Sequence, residues 1–117
     1  MVTTADLLPG RIVWADLGGT VGREQAGRRP CLVVGSRDLL EVADTLVVVV
    51  PCTSKDRSWR NHIPLTGDTG LAVATFAVTE QPRTISRQRL GRAIGYVDDG
   101  CLTEIMRWVH TWLHPAA

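Results

Sequence analysis

The stretch Gly22-Arg23-Glu24-Gln25-Ala26-Gly27-Arg28-Arg29-Pro30-Cys31-Leu32-Val33-Val34-Gly35-Ser36 carries the densest set of chemically capable groups in this 117-residue chain. Its first half places three arginines, a glutamate and a glutamine between glycines, and its second half is an apolar, β-branched run. Pro30 biases Arg29 toward extended backbone, so Arg29 falls at the mouth of a strand. Loops supply reactive groups and packed strands hold them still. A guanidinium so placed is a permanently charged planar fork that matches the oxygens of a phosphate. The plainer role for Arg29 is a structural ion pair, with Asp16 as the candidate acid.

The net charge of +1 argues against a general nucleic-acid coat protein, but the charges are unevenly placed. Ten of the thirteen basic residues lie in the windows Arg23–Arg29, Lys55–Arg60 and Arg83–Arg92, which hold only the acids Glu24 and Asp56. These windows therefore carry +8 and the rest of the chain −7. A fold that gathers them makes one basic face on an acidic body, a surface suited to a polyanion. Trp59 stands between Arg57-Ser58 and Arg60 in a polar segment, where an indole can stack on an unpaired base or lie in a dimer interface. Trp14, inside an apolar run, reads as core.

Four pieces carry a resemblance. Trp14-Ala15-Asp16-Leu17, Gly22-x-Glu24-Gln25-Ala26-Gly27-x-Arg29-Pro30, Val50-Pro51-Cys52-Thr53 and Glu80-Gln81-x-Arg83-Thr84-Ile85 together resemble the MazF/PemK family of toxin endoribonucleases, in the family's order and over most of the chain. The resemblance implies a homodimeric SH3-like barrel that cuts single-stranded RNA (messenger, transfer or ribosomal) without a metal or other cofactor. It further implies neutralisation by a cognate antitoxin through an acidic, disordered tail.

Metal-free RNA cleavage uses the ribose 2′-hydroxyl as nucleophile and leaves a 2′,3′-cyclic phosphate and a 5′-hydroxyl. A proton must leave the 2′-OH, a doubly negative phosphorane must be stabilised, and the 5′-oxygen must be protonated. The resemblance makes the positions of Arg29 and Thr53 the central pair, with Arg29 facing the phosphorane and Thr53 donating to the same phosphate. Glu24 is the chemical candidate for proton acceptor, and the family also places an acid at the position of Glu80. Where some members read Arg-x-Asp, this chain reads Val78-Thr79-Glu80, so a role built on that arginine does not transfer. Gln25, Arg28, Ser54, Lys55, Arg57, Trp59, Gln81 and Arg83 are candidate RNA contacts, each equally suited to a solvated loop. Thr53 has the plainer alternative of bonding its own turn, and Glu80 that of pairing with Arg83.

The elements that must position these groups follow from the apolar pattern. Strands are expected over Arg11–Leu17, Pro30–Ser36, Thr45–Val50, Asn61–Leu65, Leu71–Val78 and Arg92–Val97, the third ending at Pro51 as a central strand apolar on both faces. The loop between the first two, about ten residues, exceeds the usual hairpin length of about 2–5 and suits a functional segment. Short helical turns are expected near Ser36–Glu41 and Ser86–Leu90. Asp98-Asp99 offers a cap to a closing helix whose apolar stripe is Leu102, Ile105, Met106, Val109 and Leu113. Five to seven strands and one helix make a mainly β, CcdB/MazF-like barrel with a C-terminal amphipathic helix.

The length suits one domain, 1–117. No apolar run reaches the roughly 20 residues of a membrane span, and Met1–Asp6 lacks signal-peptide character, so a cytoplasmic protein is expected. The tail from His114 reads as a frayed end. Cys31, Cys52 and Cys101 are odd in number and match no zinc spacing, which fits reduced thiols, with Cys52 a buried filler. His110 and His114 share a helical spacing but have no third ligand in view, so no metal is expected. The rival function is a non-enzymatic, CcdB-like toxin that poisons a protein such as a topoisomerase through the helix tryptophans Trp108 and Trp112. A blander alternative is an SH3-like peptide-binding module.

Overall fold

The computed structural model describes residues 7–19 and 21–115; the segments 1–6 and 116–117, with the signal-peptide reading and the end of the tail, lie outside the described residues. Among the described residues seven strands run in chain order: β1 (Arg11–Asp16), β2 (Arg28–Val33), β3 (Leu46–Thr53), β4 (His62–Pro64), β5 (Phe76–Val78), β6 (Arg83–Ser86) and β7 (Leu90–Tyr96). Two α-helices, α1 (Arg37–Val42) and α2 (Asp99–Leu113), and a 3-10 turn at Arg87–Arg89 complete the fold. All strand pairs are antiparallel, in the order β4-β5-β3-β2-β1-β7, with β6 also on β3. The sheet winds into an SH3-like half-barrel without closing on itself.

Period-two alternation in the first three strands builds two cores. Val13, Ala15, Cys31, Val33, Val47 and Val49 pack on one side with Leu40 and Ile85. Their neighbours Ile12, Leu32, Val50 and Cys52 pack on the other with Ile105 and Val109 of α2. The long β-branched run of β3 thus serves both faces, as a central strand must.

β3 does not end at Pro51. Its first half pairs with β6 through Val49↔Arg83, and its end pairs with β5 from Cys52↔Ala77. Val34 N–H donates to Val48 O (3.1 Å), so even-numbered residues of β3 bond β2 and odd-numbered amide positions point the other way. The missing N–H of Pro51 therefore falls in the gap between two partners, where no ladder bond is lost. The expected strand Leu71–Val78 is shorter than its pattern. Thr69 Oγ1 accepts the Leu71 N–H (3.3 Å) and Thr75 Oγ1 donates to Val73 O (3.0 Å), local bonds that compete with a ladder. Residues 71–75 instead form a wall beside the end of β3.

Asp98 caps α2, accepting the Cys101 N–H at 2.7 Å and, from β4's loop, the Thr66 hydroxyl at 2.7 Å. These donors, the hydroxyl first, hold its carboxyl below the usual range. The buried stripe of α2 is Cys101, Ile105 and Val109; Leu113, expected on it, is 69% exposed because the helix outruns the sheet beneath. Arg87 is withdrawn from the basic surface: its guanidinium donates to the carbonyls of Leu40 and Ala43 at the end of α1 and of Leu46 at the start of β3.

Candidate functional site

The loop between β1 and β2 is cinched at its base, where Leu17 N–H donates to Gly27 O (2.9 Å) and Gly27 N–H to Gly18 O (3.0 Å). Gly18 and Gly27 take φ of +70° and +74° there, a region costly for residues with a Cβ. Arg29 emerges just past this closure. Its Nε–H donates to Ala26 O (3.0 Å) and its Nη1–H to Cys52 O (3.1 Å). The expected ion pair with Asp16 does not form. Asp16 Oδ1 accepts the Gly18 N–H (2.9 Å), and the residue opposite Arg29 on β1 is Ala15. Two neutral carbonyls thus fix the guanidinium without cancelling its charge, leaving its Nη2 donors for a ligand.

The β2–β3 register pairs Cys31 with Pro51; continued by two residues, it sets Arg29 opposite Thr53. Both line a cleft of about 460 Å³, with Trp14, Arg28, Ser54 and the wall 71–75. Thr53 is nearly buried. Its Oγ1 accepts the Lys55 N–H (3.1 Å), the turn bond expected of it, and the hydroxyl proton stays available for an acceptor in the cleft. No carboxylate lines this cleft among the described residues. A half-buried guanidinium with no acid beside it and a buried hydroxyl, around a small open space, suit a phosphate.

A neighbouring cleft of about 520 Å³ gathers Arg23, Glu24, Gln25, Gln81 and Arg83. Glu24 Oε1 accepts the Val21 N–H (2.8 Å), bracing the loop tip. Gln81, expected as an RNA contact, spends its amide on the loop. Its Oε1 accepts the Gln25 N–H (2.8 Å) and its Nε2–H donates to Arg23 O (3.0 Å). Gln25 is correspondingly buried.

Glu80 lies outside both clefts and does not pair with Arg83. Its carboxylate accepts from Asn61 Nδ2 (2.7 Å) and faces His62 Nε2 with both oxygens (3.0 and 3.1 Å). Trp59, 42% exposed, packs on the His62 ring with centroids 4.9 Å apart. The turn that presents it is closed by Asp56 Oδ1 on the Ser58 N–H (2.8 Å). Buried Thr79 joins this cluster to α2, donating to Asn61 O (2.7 Å) and accepting from Trp112 Nε1 (3.2 Å). Trp108 stacks on Trp112 at 5.5 Å, so both helix tryptophans have intramolecular roles. Lys55 and Arg57 are exposed on the segment leading from Thr53 to Trp59.

Trp14 is not core. It is half-buried, with the Arg28 guanidinium over its ring at 5.9 Å, since Pro30 lies opposite it and Gly91 beside it supplies no covering side chain. The thiols near the site are buried. Burial pushes Cys31 up to about 12, against the opposing pull of Arg29 and Arg83, and raises Cys52 strongly. The carbonyls of Ala26 and Cys52, the pin at Gln81 and the His62 cluster escaped sequence reasoning. Backbone acceptors leave no residue signature, and the alternation of β4 marks His62 only as an inward position.

Comparison with known proteins identifies the family and agrees with the fold. Residues 8–113 match the model of the family described as PemK-like, MazF-like toxin of type II toxin–antitoxin system. Endoribonuclease EndoA of Bacillus subtilis (strain 168) is 29% identical over 99 residues, covering 82% of this chain and 84% of that protein. MazF of Deinococcus radiodurans shares the fold with a TM-score of 0.79 at 23% identity, over 92% of this chain and 96% of that one. So does an endoribonuclease from a mycobacterial species solved in complex with its cognate antitoxin, with a TM-score of 0.73 at 22% identity, over 94% and 98%. With a family match spanning the whole sheet and both helices, this chain belongs to the PemK-like, MazF-like toxins of type II toxin–antitoxin systems.

Proposed function

We propose that this chain is an endoribonuclease toxin that cuts single-stranded RNA by attack of the ribose 2′-hydroxyl, with no metal in the chemical step. The observation that carries the reading is the meeting of Arg29 and Thr53 in one cleft, with the guanidinium held by neutral carbonyls. In the proposed reaction the scissile phosphate lies against the free Nη donors of Arg29 and the Thr53 hydroxyl. The 2′-oxygen bonds to phosphorus as its proton passes to a base, and Arg29 balances the second negative charge of the phosphorane. The P–O5′ bond then breaks, and the departing oxygen takes a proton from water in the open cleft. The products are a 2′,3′-cyclic phosphate and a 5′-hydroxyl.

Glu24 is the proposed proton acceptor, because the loop that carries it ends beside Arg29 and a carboxylate is the fitting base there. Glu80 is the competing acid, and its commitment to Asn61 and His62 argues for a supporting role. Arg28 and Ser54 flank the phosphate. Gln25, Arg83, Lys55, Arg57 and Trp59 supply further contacts to the RNA, and Gln81 acts through the loop it pins. The protein works as a homodimer in the cytoplasm, and an acidic, disordered antitoxin tail inhibits it by covering these clefts. Because the helix tryptophans are anchored to Thr79 and to each other, the topoisomerase-binding alternative gains no support from them.

Incubating the purified protein with RNA in excess EDTA tests the proposal. Wild type is expected to release fragments with cyclic-phosphate and 5′-hydroxyl ends. Arg29→Ala and Thr53→Val should each be slower by about 10²–10³ or more, the cost of one preorganised donor. Intact RNA with the wild-type protein refutes the nuclease reading.

A further inference from the structure

A third cleft, of about 320 Å³, is lined by Trp14, Ala15, Asp16, Arg28, Gln88, Arg89, Leu90 and Gly91. Trp14 and Arg28 line both this cleft and the one holding Arg29 and Thr53, so the two are separated only by that indole and its guanidinium. We propose that this third cleft is a second anion subsite, holding the RNA phosphate next to the one being cleaved. The inference rests on the nuclease reading and adds to it a place for the flanking nucleotide.

The charge supports an anion. Neither Arg28 nor Arg89 is in an ion pair among the described residues. Arg28 is held over the Trp14 ring, and Arg89 Nη1–H donates to the backbone carbonyl of Asp16 (3.3 Å). Both guanidiniums are thus positioned by neutral groups, as Arg29 is. Asp16 is the one acid in the lining, and its Oδ1 is taken by the Gly18 N–H (2.9 Å), so two positive charges outweigh one negative. Shape supports it too. A Cβ at Gly91 would come 3.3 Å from both Trp14 Cβ and Arg28 Nη2, tighter than ordinary contact, so the glycine lets the wall between the clefts pack close against β7. A strand leaving the Arg29–Thr53 cleft over Trp14 therefore meets a second pair of phosphate-matching forks. Arg89 comes from the 3-10 turn after β6, far in sequence from the start of β2, which carries Arg28.

Arg89→Ala tests the subsite, with Arg92→Ala as control, since Arg92 is exposed in the same basic window but lines neither cleft. The probe is a 2′-deoxy oligonucleotide, which cannot be cleaved, so binding is read independently of catalysis. Arg89→Ala is expected to weaken binding about tenfold and to reduce the slope of log affinity against log salt by about 0.7, one phosphate's share for a single strand. Arg92→Ala should change neither. A methylphosphonate at the linkage adjoining the scissile one should weaken wild type to the level of Arg89→Ala and leave Arg89→Ala itself unchanged. On cleavable RNA the loss should appear in KM, with kcat kept. Unchanged affinity and salt slope in Arg89→Ala, or equal losses in Arg92→Ala, overturn the subsite. Failure of wild type to cleave RNA overturns the parent reading and is seen separately.

Discussion

Replacing Gln81 with alanine removes two hydrogen bonds that hold the loop between β1 and β2, those to the Gln25 N–H (2.8 Å) and the Arg23 carbonyl (3.0 Å). Gln25 adjoins Ala26, whose carbonyl orients the Arg29 guanidinium, so the pin reaches the proposed phosphate site through two links. Each bond contributes about 0.5–1.5 kcal/mol net, and together they favour the ordered loop by roughly 1–3 kcal/mol. At about 1.4 kcal/mol per factor of ten, kcat/KM should fall by about 5- to 150-fold if only the ordered loop cleaves. The loop is largely exposed and contributes little to either core, so global stability should change by less than about 1 kcal/mol. Gln81→Glu keeps the acceptor for Gln25 but sets a carboxylate against the Arg23 carbonyl, and should fall between wild type and Gln81→Ala. Cleavage kinetics, thermal unfolding and hydrogen exchange at the Gln25 amide are the measurements. Activity within twofold of wild type with Gln25 still protected would refute the reasoning. So would a loss of activity fully matched by a loss of fold stability.

Two further perturbations test other parts of the molecule. Glu24→Gln and Glu80→Gln separate the candidate acids: the first should lower kcat by about 10²-fold or more. Glu80→Gln should change kcat far less and lower the melting temperature, because a carboxamide offers one acceptor oxygen to Asn61 and His62; the reverse pattern would reassign the base. Asp98, whose carboxyl is held below the usual range first by the Thr66 hydroxyl and then by the Cys101 N–H, adds stability that is present above the ordinary carboxylate pKa. That stability is lost as pH falls through the lowered value. Asp98→Asn keeps a capping oxygen without the charge, so its melting temperature should depend less on acid than that of wild type, and equal dependence would refute this account.

Features whose cause is local were legible in the residues alone. Alternating apolar residues produced β1, β2 and the first half of β3, Ser36 and Ser86 capped the turns they precede, and Asp98 opened the final helix. The motifs were sufficient to place the chain in its family and to nominate Arg29 and Thr53. The same local logic went astray at Pro51, at Leu71–Val78 and at Trp14. A proline is tolerated wherever its missing donor faces a gap, a β-branched run yields to side-chain bonds in its own loop, and a tryptophan stays half-exposed beside a glycine.

Which groups meet is a matter of strand pairing and packing. The register that sets Arg29 opposite Thr53, the carbonyls that replace Asp16 as its partners, and the commitments of Gln81 and Glu80 all depend on which strand lies beside which. Hydrogen bonds reach about 3 Å, and sequence distance says nothing about separation at that scale. A side chain's type is written in the sequence; whether it faces a phosphate, a loop or another side chain is settled by packing.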